Sequence, residues 1–394
     1  MGIWQTWILI MTNDDLLSKT ISFLRFPLTV GVVFIHFNIV NDGFTINGIK
    51  CGLNNPDWYY YTINFFSEVL PRLCVPLFFL ISGFLFYYRK DFNYNVYKQK
   101  LRTRTMTLLI PYFLWNIIAI LITSSKKLPF ISSIFPNESN VNIILSPERL
   151  FKTFFAYSPN EGIFVNPIIE DATTNVSLVP LPINTPMWYV RELIVMVIIT
   201  PIIYWLIKRS GLLFITFLGV VWYFLKPLHL DESYLGPFSC AAFFFSCGAY
   251  FSINRINFVD YMRKFKYMPI LYLLLAIVDT LTKNAGYNTF IHNAGILAGI
   301  ISIVTISSYL IENGRVKVNM TLANCSFFIF ALHTLIMRII GKVLFIALHL
   351  PDNTYSMLFI YFVVPTITII VCFLIYIFLH RYLNNVCNLL TGGR

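Results

Sequence analysis

The stretch EVLPRLCVPLFFLISGFLFYYRK, residues 68–90, indicates the fold class of the whole chain. Between Arg72 and Arg89 it carries no charged residue, and as a helix this run is nearly long enough to cross the hydrocarbon core of a bilayer. The basic pair Arg89-Lys90 at its end is typical of the cytoplasmic border of a membrane span. The stretch is therefore predicted to form a transmembrane helix.

The composition extends this prediction to the rest of the chain. Of its 394 residues, 57% are hydrophobic and only 12% are charged, against about 25% charged residues in soluble domains. We predict an all-α integral membrane protein, a bundle of about ten transmembrane helices that forms one membrane-embedded domain over residues 1–394. The apolar windows long enough to span a bilayer lie at about 20–40, 66–88, 105–124, 187–207, 211–226, 236–253, 267–283, 289–311, 322–348 and 355–380.

The distribution of basic residues predicts the orientation of the bundle. Lys and Arg cluster after every second predicted span, at residues 89–104, 208–209, 255–266 and 315–317. Because membrane proteins concentrate Lys and Arg in their cytoplasmic loops, both termini are predicted to be cytoplasmic. The same rule accounts for the net charge of +11, so this charge does not indicate nucleic-acid binding.

Three further features limit the function classes. The seven cysteines are odd in number and lack CxxC spacing, which argues against a disulfide framework or a zinc site. The N-terminus lacks the basic region and the cleavage site of a signal peptide. The long connection at about 125–186 is predicted to face outward, and its SPERLFKTFFAY stretch is predicted to form a short amphipathic helix with Ser146 as N-cap.

Two ionisable residues occur in the first predicted span, LRFPLTVGVVFIHF at residues 24–37. Arg25 and His36 are about three helical turns apart and are therefore predicted to lie on one face of the helix. Ionisable residues inside a membrane usually line a cavity, a proton relay or a binding site. The alternative is that Arg25 only extends to the membrane surface and that His36 is a core residue bonded to a neighbour.

Other predicted spans carry ionisable residues at similar depths. Glu68 and Arg72 are one turn apart at the start of the second span, where they form either part of a polar site or an interfacial anchor. His333 lies about as far into the ninth span as His36 lies into the first. Two histidines at matching depth, with arginines and glutamates nearby, are typical of the lining of one polar cavity.

The fourth predicted span begins with TPMWYVREL, residues 185–193. Because Arg191 and Glu192 are adjacent, they point to different sides of a helix, and each is predicted to have a partner other than its neighbour. Trp188 fits the aromatic belt of a membrane interface. The histidines of the chain lie on different spans without HxxxH or HxxE spacing, so no metal site is predicted.

The motifs quoted so far occur in a fixed order with one further basic motif. They are Arg25 and His36 with ten residues between them, RLCVPLFFLISGFLF from Arg72, RTRTMTLLIPYFLW ending at Trp115, MWYVREL at 187–193, and CSFFIFALH ending at His333. This ordered set, which extends over most of the chain, resembles the membrane-bound acyltransferase 3 family. Its members are integral membrane O-acyltransferases of sugars, glycolipids and cell-envelope polysaccharides.

The resemblance implies an O-acyltransferase that moves an acyl group, usually acetyl, from cytoplasmic acyl-CoA to a hydroxyl of a sugar, glycolipid or exopolysaccharide. It implies acetyl-CoA as a substrate, no permanently bound cofactor, and a location in the bacterial cytoplasmic membrane. Some members carry an extracytoplasmic domain after the last span. This chain ends at Arg394 soon after the tenth predicted span, so we expect transfer to finish inside the bundle or on a separate extracytoplasmic transferase partner.

Under this resemblance the ionisable residues are candidates for specific roles. His36 is the candidate general base, because imidazole titrates near neutral pH. The other catalytic candidates are Arg25, Arg72 and Glu68. The candidates for contacts with acyl-CoA are Arg25, Arg102 and Arg104, whereas topology alone explains Lys98 and Lys100. The candidates for binding the acceptor are Trp188, Arg191, Glu192 and His333.

Two other function classes place similar residues in a membrane. A secondary transporter or glycolipid flippase also carries Arg, Glu and His at mid-depth, but the chain shows no paired interrupted helices in corresponding halves. A glycan polymerase or ligase also combines many spans with a large outer loop. Labelled acetyl-CoA distinguishes the three classes, because a transporter or a polymerase leaves the thioester intact.

Overall fold

Helices dominate the structure of this chain. The computed structural model describes residues 13–38, 44–46, 49–51, 55–89, 91–125, 142–156, 163–165, 181–226 and 235–393. In this part of the chain the strands are limited to two short antiparallel pairs. The prediction of an all-α integral membrane protein is therefore confirmed.

The helices are numbered here in chain order. They are α1 (Asn13–Ile35), α2 (Asp57–Asn64), α3 (Cys74–Tyr87), α4 (Tyr94–Arg104), α5 (Ile110–Ser125), α6 (Pro147–Phe155), α7 (Trp188–Ile198), α8 (Thr200–Leu225), α9 (Leu235–Ile253), α10 (Phe258–Arg263), α11 (Met268–Leu281), α12 (Asn288–Glu312), α13 (Met320–Ala347), α14 (Thr354–Tyr382) and α15 (Asn384–Thr391). The strands are β1 (Phe44–Ile46) with β2 (Ile49–Cys51), and β3 (Asn142–Ile143) with β4 (Phe164–Val165).

Some of these helices join into longer stretches. A π-helical turn, Phe65–Val69, and a 3-10 turn, Leu70–Leu73, connect α2 to α3 without a break, and another π-helical turn, Thr105–Leu109, connects α4 to α5. Among the described residues, 8 helical stretches are long and apolar enough to cross a membrane, and α11 is a shorter apolar helix. Each predicted window overlaps one of the helices, whereas the count of ten spans and the cytoplasmic termini stay predictions.

The break between the predicted fourth and fifth spans occurs inside α8. Gly211 has φ 44° and ψ −115°, outside the helical region, so α8 consists of two helical pieces on either side of it. Glycine adopts a positive φ readily because it has no Cβ. The first piece follows α7 after a turn at Ile199, which agrees with the predicted boundary between 207 and 211.

The first helix lies closer to the N-terminus than the predicted window of 20–40. It runs over Asn13–Ile35, and His36 lies in the turn that follows. The His36 backbone N–H still donates to the Val32 carbonyl oxygen at 3.3 Å. His36 therefore extends from the end of α1 rather than from its interior.

The most extensive helix contact joins α3 and α9 through two glycines. A Cβ atom added to Gly83 would lie 2.0 Å from the Phe245 carbonyl oxygen, and one added to Gly248 would lie 1.9 Å from the Leu80 carbonyl oxygen. Small residues in membrane helices allow backbones to approach this closely. Elsewhere α1 packs against α12 and α13, and α14 packs against α13.

The short amphipathic helix predicted in the long connection is present as α6. Its N-cap is Ser146, whose hydroxyl accepts a hydrogen bond from the Arg149 backbone N–H at 3.2 Å. The Tyr112 hydroxyl of α5 donates to the Phe154 carbonyl oxygen, and the Phe113 ring lies 5.4 Å from the Phe154 ring. The described part of the connection is therefore attached to the bundle, whereas residues 126–141, 157–162 and 166–180 lie outside the described residues.

The N-cap of α14 offers a test of the helix boundaries. The Asn353 side chain accepts a hydrogen bond from the Ser356 backbone N–H at 2.9 Å. We expect Asn353→Ala to lower the free energy of unfolding by about 1 kcal/mol, because an N–H at the helix start loses its partner. Thermal unfolding in detergent micelles measures this loss. Asn353→Asp is the control, since aspartate also caps, and equal losses in both variants would contradict the assigned cap.

Candidate active site

Two histidines from distant parts of the chain lie side by side. The ring centroids of His36, after α1, and His333, in α13, are 5.3 Å apart, with an angle of 52° between the rings. His333 is fully buried, and its Nδ1 lies 3.1 Å from the Ile329 carbonyl oxygen. Because only a protonated nitrogen bonds to a carbonyl oxygen, Nδ1 carries the hydrogen and Nε2 carries a lone pair. That buried Nε2 has no hydrogen-bond partner in the described part of the chain.

Glu68 and Arg72 form an ion pair near this histidine pair. Glu68 lies in the π-helical turn and Arg72 in the 3-10 turn that precede α3. The Asn38 side-chain N–H donates to Glu68 Oε1 at 2.9 Å, which links the segment after α1 to the second helical stretch. The 3-10 turn that carries Arg72 also packs against α1, which leads directly into His36. The pairing itself fits both the polar-site and the interfacial-anchor interpretation.

The prediction of separate partners for Arg191 and Glu192 is wrong. Arg191 Nε donates to Glu192 Oε1 at 2.9 Å, although the two residues are adjacent in α7. Only 7% of Arg191 and 4% of Glu192 is exposed, and buried charges are stable only when they are paired. The long arginine side chain reaches back across the helix surface to meet this requirement. Arg191 Nη1 also donates to the Phe155 carbonyl oxygen, so the pair attaches α6 to α7.

The two aromatic residues at the start of α7 have different environments. Tyr189 is buried, its hydroxyl lies 3.1 Å from Ser82 Oγ, and its ring lies 4.6 Å from the Phe79 ring. Trp188 is half-buried, with its ring 6.2 Å from the same Phe79 ring. Tyr189 is therefore a core residue, whereas Trp188 remains partly accessible.

A buried asparagine that the sequence did not single out holds the start of α7 near His333. Asn184 donates from Nδ2 to the Ala331 carbonyl oxygen at 3.0 Å, and its backbone N–H donates to Asn116 Oδ1 at 3.2 Å. Asn184 Oδ1 also accepts from the Thr334 hydroxyl at 3.3 Å. Since Ala331 and Thr334 flank His333 in α13, these bonds limit the movement of that helix around the histidine.

Two of the three arginines proposed to contact acyl-CoA line one cavity. Arg25 of α1 and Arg104 of α4 border a cavity of about 150 Å³, together with Asn324 of α13. Both guanidinium groups are half-buried, and neither forms an ion pair with a carboxylate among the described residues. Arg102 is exposed and does not line this cavity. The rest of the lining is mainly apolar and aromatic, for example Phe78, Phe86, Tyr189, Phe327 and Phe330.

Sequence reasoning missed a third polar cluster, which is formed by α11, α12 and their connection. Asp279 is only 2% exposed, and its Oδ2 lies 2.7 Å from His292 Nδ1. Its Oδ1 accepts from Asn288 Nδ2 at 2.8 Å and lies 3.9 Å from Lys283 Nζ. The signal in the sequence is a carboxylate within the apolar stretch MPILYLLLAIVDTL, since such residues usually mark function.

This third cluster lies at the same end of the bundle as Glu68 and Arg72. Helix α11 packs against the π-helical turn that carries Glu68, and its Tyr272 hydroxyl donates to the Leu70 carbonyl oxygen at 3.1 Å. The α11–α12 hairpin and the turns that carry Glu68 and Arg72 are therefore in contact.

Comparisons with known proteins identify one family and one relative. The family model described as an acyltransferase domain matches residues 19–377. The succinoglycan biosynthesis protein ExoH of Rhizobium meliloti (strain 1021) is 24% identical over 260 residues, which cover 62% of this chain and 56% of that protein. The chain therefore matches little more than half the length of this relative. No solved structure matches the chain significantly.

Proposed function

This chain belongs to the membrane-bound acyltransferase 3 family, and on that premise we propose that it transfers an acyl group from cytoplasmic acyl-CoA to a hydroxyl of an envelope polysaccharide or its glycolipid precursor. Family membership favours an acyltransferase over the transporter and polymerase alternatives. The acceptor class follows from the relative, whose name assigns it to succinoglycan biosynthesis. The proposed acyl group is acetyl, and the proposed location is the bacterial cytoplasmic membrane.

The cavity lined by Arg25 and Arg104 is the observation that carries the donor assignment. Acyl-CoA combines phosphate groups with a long, less polar pantetheine arm. Guanidinium groups bind phosphates through charge-assisted hydrogen bonds, and an apolar, aromatic lining suits the arm and the acyl group. Two half-buried arginines without a carboxylate partner among the described residues match this chemistry.

We assign the chemical step to His36 and its neighbours. The His36 imidazole takes the proton of the acceptor hydroxyl while the hydroxyl oxygen attacks the thioester carbonyl carbon. The carbon–sulfur bond then breaks, the new ester remains on the acceptor, and the CoA sulfur takes the proton from His36. Arg72, held by Glu68, stabilises the negative charge that develops on the carbonyl oxygen. His333 lies beside His36 and contributes a further polar side chain to this site.

Donor binding is tested with purified protein in detergent micelles and unlabelled CoA. We expect Arg25→Gln to weaken CoA binding at least about 10-fold, because a hydrogen bond to a charged group contributes about 1.5–3 kcal/mol. Arg102→Gln is the matched control and should leave the dissociation constant unchanged, since Arg102 is exposed and outside the cavity. Equal effects of both substitutions would assign CoA to a different surface.

The transfer step is tested with radiolabelled acetyl-CoA and polysaccharide extracted from envelopes of cells that make the protein. His36→Ala should lower the transfer rate about 100-fold or more while CoA affinity stays unchanged, since removal of a general base slows chemistry rather than binding. An unchanged rate would remove His36 from the mechanism.

Wild-type protein that never moves label from the thioester would refute the proposed function, and a preference for succinyl-CoA would correct the acyl group. Transfer only after addition of an extracytoplasmic fraction would identify a separate transferase partner.

A further inference from the structure

We propose that Asp279, Lys283 and His292 form a sugar-binding subsite for the acceptor, in which His292 Nε2 accepts a hydrogen bond from an acceptor hydroxyl. This inference rests on the proposed function, because it assigns the acceptor of that reaction to a particular part of the bundle. The subsite lies at the end of the bundle that carries Glu68 and Arg72.

The Asp279 carboxylate fixes the orientation of His292. The 2.7 Å contact between its Nδ1 and the Asp279 carboxylate fixes the ring and makes Nδ1 the hydrogen-bearing nitrogen of the neutral imidazole. Nε2 then carries a lone pair. A carboxylate that orients an imidazole in this way is a recurring arrangement where the second nitrogen meets a hydroxyl group.

His292 Nε2 remains available to a ligand. The structure shows no hydrogen bond from this atom to any described residue. The His292 side chain is 12% exposed, and Nε2 is not among the fully buried polar atoms, in contrast to Nε2 of His333. A hydroxyl group can therefore approach His292 without displacing a described hydrogen bond.

Lys283 supplies hydrogen-bond donors that complement the acceptor at His292. Its side chain is 24% exposed, and its Nζ lies 3.9 Å from Asp279 Oδ1. An ammonium group has three donors, so Lys283 can contact Asp279 and still donate to sugar oxygens. Adjacent sugar hydroxyls both donate and accept, and the subsite offers an acceptor at His292 and donors at Lys283.

The subsite is connected to the proposed reaction centre through packed helices. Helix α11, which carries Asp279, packs against the π-helical turn that carries Glu68, and its Tyr272 hydroxyl donates to the Leu70 carbonyl oxygen at 3.1 Å. The Asn38 side chain joins Glu68 to the segment that carries His36. An acceptor held at His292 therefore lies at the same end of the bundle as the ion pair that we assign to the transition state.

A purely structural role for this cluster explains only part of its geometry. Asn288 Nδ2 already joins the two ends of the α11–α12 hairpin, through the Asp279 carbonyl oxygen at 2.9 Å, the Asp279 carboxylate at 2.8 Å and the Thr282 hydroxyl at 3.1 Å. These bonds hold the hairpin together without His292, whose Nδ1 meets the other carboxylate oxygen, Asp279 Oδ2. A bound sugar would form hydrogen bonds with the accessible Nε2 of His292 and with the ammonium group of Lys283.

Two substitutions at His292 separate the structural role from the binding role. Asparagine places its amide near the position of Nδ1 and keeps a donor for Asp279, whereas glutamine places its amide near the position of Nε2. We expect His292→Asn to raise the KM for extracted envelope polysaccharide about 10-fold, with kcat and CoA affinity within about twofold of wild type. We expect His292→Gln to recover part of the loss.

Further variants exclude a folding defect as the cause. Lys283→Gln should also raise the KM for the polysaccharide, and Thr282→Val, which alters the same hairpin without touching His292, should not. An unchanged KM in His292→Asn and Lys283→Gln would overturn the subsite. So would a loss confined to His292→Gln, or a parallel loss of CoA affinity. Wild-type protein that transfers no label would refute the proposed function, and the subsite would fall with it.

Discussion

Replacement of Arg191 by methionine is expected to lower the free energy of unfolding by about 3–5 kcal/mol, because it leaves the Glu192 carboxylate buried without its partner. Only 7% of Arg191 and 4% of Glu192 is exposed, so little water can reach the carboxylate to replace the lost contact. Chemical unfolding of the purified protein in detergent micelles, followed by tryptophan fluorescence, measures the change.

The double variant Arg191→Met/Glu192→Gln is the control for this prediction. It removes both charges, so most of the stability should return, apart from the contribution of the lost bond to the Phe155 carbonyl oxygen. If the double variant were as unstable as Arg191→Met, packing rather than an unpaired charge would be the cause. A stable Arg191→Met variant would contradict the assignment of this pair as a structural link.

Replacement of Gly83 by alanine is expected to cost about 3 kcal/mol or more of unfolding free energy, at the upper end for an overpacked core. The added Cβ would lie 2.0 Å from the Phe245 carbonyl oxygen, so α3 and α9 must separate. Because Phe78 and Phe86 of α3 line the cavity with Phe245 of α9, we also expect weaker CoA binding. Thermal unfolding and CoA titration measure the two effects.

Gly295→Ala is the matched control for the alanine at Gly83. Gly295 also lies in a long membrane helix, α12, but a Cβ atom added there meets nothing within 4 Å. Because alanine favours a helix by about 1 kcal/mol over glycine, this variant should be as stable as wild type or more so. Equal losses in both variants would show that the α3–α9 contact is looser than its geometry indicates.

The positions of the helices could be predicted because they depend on local properties. A run of apolar residues must satisfy its backbone groups internally within a bilayer, which favours a helix wherever such a run occurs. The preference for serine at helix starts placed Ser146 at the N-cap of α6, and the limits of two apolar runs placed the break near Gly211. The end of α1 was less predictable, since residues 36–40 continue the apolar pattern beyond the last helical residue, Ile35.

The candidate site was predicted only in part. Motif residues Arg25 and Arg104 line one cavity, but Arg102, of the same type and two positions away, is exposed. Adjacent positions on a helix suggested separate partners for Arg191 and Glu192, whereas the burial of both charges favours their pairing with each other. Whether a side chain lines a cavity or is exposed depends on which face of its helix packs against the neighbouring helices.

Hydropathy, basic-residue distribution and helical period act over one or a few turns, so the membrane-embedded helical class of this protein follows from the amino-acid order alone. The meeting of His36 with His333, and of Asp279 with His292, depends on contacts between residues far apart in the chain or across a hairpin. Only the packing of α1 against α13 and of α11 against α12 brings these groups within reach. Tertiary structure therefore decided which ionisable residues share a site, because hydrogen bonds and ion pairs form only at contact distance.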